Sequence, residues 1–161
     1  MSHAKLSSTL LTCSLCAAAL CSTSTHAANA ASTWIANGGT ACNRFLTPDV
    51  VGKIFKNPAG ESKKSTEQGC RFETPDFAMI SITLTAGGPA VLDAHMKYLD
   101  NPLPLSGVGD KAVRTRSGIE AVKGNDRMCG IDVMPPFGNK ISGEALALEL
   151  GAICNKLFAL P

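Results

Sequence analysis

The sequence predicts an α+β two-layer sandwich, a mostly antiparallel sheet of about five strands with two to three helices on one face. Three observations carry that reading. Residues 77–85 alternate apolar and polar with a period of two. Residues 111–133 hold three short β-rich runs separated by glycine-containing turns. Residues 146–157 repeat leucine and isoleucine at helical spacing on one face.

Before these elements comes a leader. Lys5 precedes an apolar run from Leu10 to Cys21, followed by the small residues around Ala27–Ala31. That is the layout of a secretory signal peptide, with Ala28-Asn29-Ala30 as the cleavage signal and Thr25-His26-Ala27 as the second choice. Residues 1–30 are therefore expected to be removed, residues 31–41 to form a flexible lead-in, and residues 42–161 to form a single domain. The lead-in is small and polar, ends in Asn37-Gly38-Gly39, and offers Trp34 and Ile35 as its apolar handles.

The first predicted helix starts at Thr47-Pro48-Asp49. Thr47 can cap, Pro48 suits the first turn, and Asp49 complements the helix dipole. Leu46 and Val51 have staple spacing, and Asn57-Pro58 ends the helix. Residues 58–69 read as an exposed loop. Cys70–Thr74 and Phe77–Thr85 follow as strands around a turn at Pro75-Asp76. Gly88-Pro89 opens a second helix whose stripe is Leu92, His95, Met96 and Leu99, with Asp93 and Lys97 as an i,i+4 pair. After a loop at 102–107, the strands Lys111–Arg116, Ile119–Lys123 and Arg127–Val133 form a meander. The last helix follows the loop Met134-Pro135-Pro136-Phe137, with Ser142 as its expected cap and Leu146, Leu150, Ile153, Cys154 and Leu157 on its face. The order is α-β-β-α-β-β-β-α.

Seven cysteines divide by compartment. Cys13, Cys16 and Cys21 lie in the leader, where Cys13-x-x-Cys16 lacks the βα context of a redox motif. Leu15 and Leu20 make poor lipidation sites of Cys16 and Cys21. Export makes Cys42, Cys70, Cys129 and Cys154 disulfide candidates. Of the three possible connectivities, Cys42–Cys70 and Cys129–Cys154 are favoured. Each closes a short loop, and Cys154 on the buried helix face can reach the strand that carries Cys129. The remote alternative is a zinc site built from all four cysteines, which the wide spacing without a Cys-x-x-Cys pair disfavours.

Charge excludes more than it suggests. Without Lys5 the chain carries 14 basic and 13 acidic residues, with no clustered basic face of the kind nucleic acid requires. No stretch beyond the leader has the ~20 apolar residues of a transmembrane helix.

Four segments together resemble a group of small bacterial exported proteins and lipoproteins. Cys42-Asn43-Arg44-Phe45-Leu46-Thr47-Pro48-Asp49-Val50 resembles their Cys…Leu-Leu-Thr…Asp/Glu-Val opening. Cys70-Arg71-Phe72 resembles their second cysteine with its following aromatic residue. Gly107-Val108-Gly109-Asp110-Lys111-Ala112 resembles their Gly-Val-Gly-Asp-Glu-Ala loop, and Val122-Lys123-Gly124-Asn125 their Val-Arg-Lys-Gly-Asp turn. The resemblance implies an exported α+β domain and no activity. The lack of a good lipidation site departs from the lipoprotein members.

Each candidate site has a structural alternative. His95, the sole histidine beyond the leader, reads as a packed or partly exposed helix residue before it reads as a general base or metal ligand. Asp110 reads as a turn residue bonding local amides before it reads as a catalytic carboxylate. Arg114 and Arg116 share a strand face by period two, with Lys123 and Arg127 nearby. They form either a solvated sheet face or a grip for an anion. Met134 and Phe137 sit in a proline-stiffened apolar loop that either binds something at little entropic cost or tucks Phe137 under the last helix. The expectation is a non-catalytic, periplasmic or secreted binding protein without metal or cofactor. Its partner would be an unknown protein or small ligand in the envelope, with an inhibitor of a secreted enzyme as one version. The expected binding contacts are Phe137, Met134, Arg114 and Arg116. The alternatives are a small hydrolase using Asp110 or His95, and an envelope component anchored by lipid or an uncleaved leader.

Overall fold

The computed structural model describes residues 17–55, 62–75, 77–135 and 143–161, with side chains from residue 29 onward and, in the first strand, from Ser65. Among these residues the fold is α+β, with one antiparallel sheet of seven strands and four helices. The elements are α1 (Ala17–Phe45), α2 (Pro48–Phe55), β1 (Ser62–Thr66), β2 (Gly69–Glu73), β3 (Met79–Thr85), α3 (Pro89–Met96), β4 (Leu103–Pro104), β5 (Lys111–Arg114), β6 (Gly118–Lys123), β7 (Arg127–Met134) and α4 (Glu144–Phe158). The sheet order is β1-β2-β3-β7-β6-β5-β4.

Local chemistry explains most boundaries. Thr47 caps α2, its Oγ1 accepting from the Val50 amide at 3.3 Å, while Leu46 and Val51 are both buried. In β3, Ile80, Ile82 and Leu84 point to the core. Their partners Val133, Ile131 and Cys129 in β7 do the same. α4 buries Leu150, Ile153, Cys154 and Leu157, the face its periodicity predicts. Ser142 lies outside the described residues, and the residue before α4 is Gly143, which makes no side-chain cap.

Both favoured cysteine pairs are joined. Cys42–Cys70 ties α1 to β2, and Cys129–Cys154 ties β7 to α4.

The fold corrects several expectations. Residues 31–41 are not a flexible lead-in but part of α1. Trp34 is fully buried, stacks on Phe158 at 5.8 Å, and donates from Nε1 to the Leu157 carbonyl at 2.8 Å. The glycines that suggested mobility permit close approach. A Cβ on Gly38 would fall 2.3 Å from Leu84 Cδ1, so α1 lies against β3 where a larger residue would hold it off. The expected exposed loop at 58–69 contains β1, and the loop at 102–107 contains β4, so the sheet has seven strands instead of five.

The helices also divide between faces. The core holds residues of α1, α2 and α4 together with Ala112, Ala121 and Cys129. The next residue along β5 and β6, and the preceding one along β7, point the other way. Val113, Val122 and Met128 form a second cluster with Leu92 of α3, flanked by Met96 and Leu99. α3 therefore covers the opposite face of the sheet.

Candidate functional site

The register brings most of the exposed apolar side chains to one end of the sheet. Met79 of β3 pairs with Met134 of β7, Gly118 of β6 with Asp132 of β7, and Leu103 of β4 with Arg114 of β5. The β2–β3 tip, the end of β7, the β5–β6 turn and the start of β4 thus share that end. Of the six large apolar residues that stand exposed among the described residues, Phe77, Met134, Leu103 and Leu148 belong here, and Val91 and Tyr98 to α3 and the turn after it. They form two groups, Phe77 with Met134 at the β3–β7 edge of this end and Leu103 with Leu148 by β4 and α4, and exposed apolar groups of this kind mark interaction surfaces.

Two features shape this end. Phe77 is held at φ 62°, a conformation that costs a bulky side chain about 1–2 kcal/mol, while the residue is 75% exposed. Thr74 fixes the tip. Its Oγ1 accepts from the Ala78 amide at 3.0 Å, and its carbonyl accepts from the Phe77 amide at 3.0 Å. The second feature is an open cleft of about 460 Å3 between β4 and α4, lined by Leu103, Pro104, Leu105, Ser106, Arg114, Glu144 and Leu148. Arg114 is half-buried, stands on the same face as Ala112, and forms no ion pair among the described residues.

The expected binding residues are only partly united. Met134 and Arg114 lie at this end but on opposite faces: Met134 follows the core-facing Val133, whereas Arg114 shares the face of the core residue Ala112. Phe137 lies outside the described residues. Arg116 is not on β5 with Arg114 but in the β5–β6 turn, with Asp100 at 3.9 Å. Lys123 and Arg127 pair with each other's backbone at the far end of the meander, so the four cations do not form one basic face. Arg127 is a structural residue: Nη1 donates to the Phe158 and Leu160 carbonyls at 3.0 Å, and its guanidinium lies over the Trp34 ring.

Asp110 holds a turn together. Its carboxylate accepts from Lys123 Nζ and from the Gly124 amide at 2.8 Å. These contacts, Lys123 first, hold the carboxyl below its ordinary range. The glycines before it answer to α4: Asn155 accepts from the Gly109 amide and donates to the Gly107 carbonyl, each at 2.9 Å. Gly107 and Gly109 take φ 81° and 55°, which fits their glycine identity.

His95 is exposed and sits 3.5 Å from Glu120 on the α3 face. Asp93 pairs with Lys111 on β5, not with Lys97 as the helical spacing suggests. Among the described residues no group of three or more histidine, cysteine, aspartate or glutamate side chains is placed to hold a metal, and no helix is long and apolar enough to cross a membrane.

The sequence left the β4–α4 cleft unnoticed, although two signals were present. Leu103 and Leu105 alternate beside prolines, and Leu148 falls off the buried stripe of α4. The chain matches no protein-family model, no curated protein and no solved structure.

Proposed function

We propose that the chain is an exported, disulfide-stabilised, non-catalytic binding domain of the bacterial envelope or extracellular space. It takes a protein or small ligand at the sheet end that carries Phe77, Met134, Arg114 and Leu103. The observation that carries the reading is the gathering of exposed apolar side chains at that end, beside an arginine with no ion-pair partner among the described residues. The left-handed backbone of Phe77, which spends conformational energy to project the side chain into solvent, supports it, because such strain concentrates where recognition needs it. The two buried disulfides fit an oxidising compartment. The described packing of α1 starts at Ala31, so cleavage after Ala30 would spare its packed part.

The hydrolase alternative draws on one contact, the His95–Glu120 pair, which resembles the base and orienting acid of a triad. No motif in the sequence supplies the nucleophile, and Asp110 is engaged by Lys123 and Gly124. Should a hydrolytic activity be found, His95→Ala would abolish it at unchanged melting temperature only if that pair is catalytic.

A photo-crosslinking amino acid placed at position 134 of the exported protein tests the binding reading. The expected result is a discrete adduct that weakens in Phe77→Asp and does not form from position 156 at the far end of α4. Equal labelling from both positions would overturn it, and none from 134 would exclude a macromolecular partner there and leave only the small-ligand version.

A further inference from the structure

From the β4–α4 cleft we infer a specific ligand class: a small amphipathic monocarboxylate, with its head on Arg114 and its chain along Leu103, Leu105 and Leu148. The inference rests on the reading of this end as the binding end and names what enters it. The volume of about 460 Å3 is within the range of small-molecule sites, roughly 300–1,000 Å3. Leu103 and Leu148, from β4 and α4, are each 48% exposed, and the buried Leu105 lines the same cleft. An apolar chain laid there would remove both leucines from water.

Charge selects the head group. Arg114 is half-buried at the cleft with no carboxylate within ion-pair distance among the described residues, and a planar guanidinium matches a carboxylate in bidentate fashion. Glu144, in the first turn of α4, lines the same cleft without pairing to Arg114. A second anionic charge on the ligand would meet Glu144. The cleft therefore prefers a monoanion to a dianion such as a phosphate monoester. Ser106 adds a hydroxyl to the lining.

The test is titration of the oxidised protein with decanoate, octanoate and hexanoate below their aggregation limits, followed by amide chemical shifts. Shifts should centre on Leu103, Arg114 and Leu148, and affinity should rise about fourfold for each added methylene. Arg114→Gln should weaken decanoate at least tenfold while leaving 1-decanol unchanged, because only the carboxylate uses the guanidinium. Glu144→Gln should strengthen decanoate. Leu148→Asp, off the buried face of α4, gives a second loss-of-binding variant should Arg114→Gln fold poorly.

Shifts elsewhere, affinity independent of chain length, or equal decanoate binding by wild type and Arg114→Gln would each overturn the inference. If decanoate fails to bind while the cross-link at 134 persists, the ligand class is wrong and the binding end stands. If decanoate binds as described without a cross-link, the ligand class is right and a macromolecular partner at 134 is excluded.

Discussion

Replacing Trp34 with alanine removes the largest side chain that α1 packs into the core. Trp34 is fully buried, stacks on Phe158, lies under the Arg127 guanidinium and donates to the Leu157 carbonyl. Truncating a core tryptophan costs about 3–5 kcal/mol through lost burial and the cavity left behind. The Leu157 carbonyl keeps a partner, because it also accepts from the Leu160 amide at 3.1 Å. No orphan acceptor therefore adds to the loss. Trp34→Phe keeps most of the ring and forfeits the indole bond, for about 1–2 kcal/mol. Urea unfolding followed by circular dichroism measures both, and the alanine variant should melt on the order of 10–20 °C below wild type. Trp34 is the single tryptophan, so wild-type fluorescence and dichroism should report one coincident transition. If Trp34→Ala lost less than about 0.5 kcal/mol, residues 31–45 would not be docked, and the account of α1 would fail.

Three further outcomes are expected. Asp110→Asn should destabilise the protein near neutral pH. The native carboxyl titrates below its ordinary value of 3.8, so its contribution is present above that value and is lost as pH falls through the native one. The gap to wild type in urea unfolding should therefore close in acid, and a gap that persists unchanged would contradict the Lys123 and Gly124 contacts. Phe77→Gly should raise stability by about 1 kcal/mol by relieving the left-handed backbone, while weakening the adduct at position 134. A loss of stability in calorimetry would refute the strain. Asn155→Ala should cost about 1–2 kcal/mol by releasing the Gly107 carbonyl and Gly109 amide, and hydrogen exchange at Gly109 should accelerate. Unchanged exchange there would mean that the loop holds itself.

What the sequence displayed and what it hid have separate physical causes. β3 and α4 were legible because each buries one face, and their periods of two and 3.6 follow directly. The cysteine pairs were legible because helical phase puts Cys154 on the buried face of α4. α1 was hidden because Gly38 and Gly39 read as breakers locally, whereas their smallness serves a contact with β3 that only the tertiary fold creates. β1 is a polar edge strand carrying Lys63 and Lys64, with no apolar alternation to betray it. β4 is two residues long and includes a proline. The position of α3 had a signal that went unused. Ala112-Val113, Ala121-Val122 and Met128-Cys129 are adjacent apolar pairs, and a strand that is apolar on both faces needs cover on both. For the site, Arg114 and Met134 were visible as residue types. The joining of Leu103 to Leu148 across β4 and α4 was not, because no local pattern encodes a meeting of segments some 45 positions apart.

Export and stapling are the claims on which the rest depends, and the intact mass of the protein recovered from an exporting bacterial host tests both. The account predicts a chain beginning at Ala31, or at Ala28 if the second cleavage signal is used, with four cysteines that react with alkylating agent only after reduction. A lipid-sized excess mass on Cys16 or Cys21, an uncut leader, or four thiols that alkylate without reduction would contradict it.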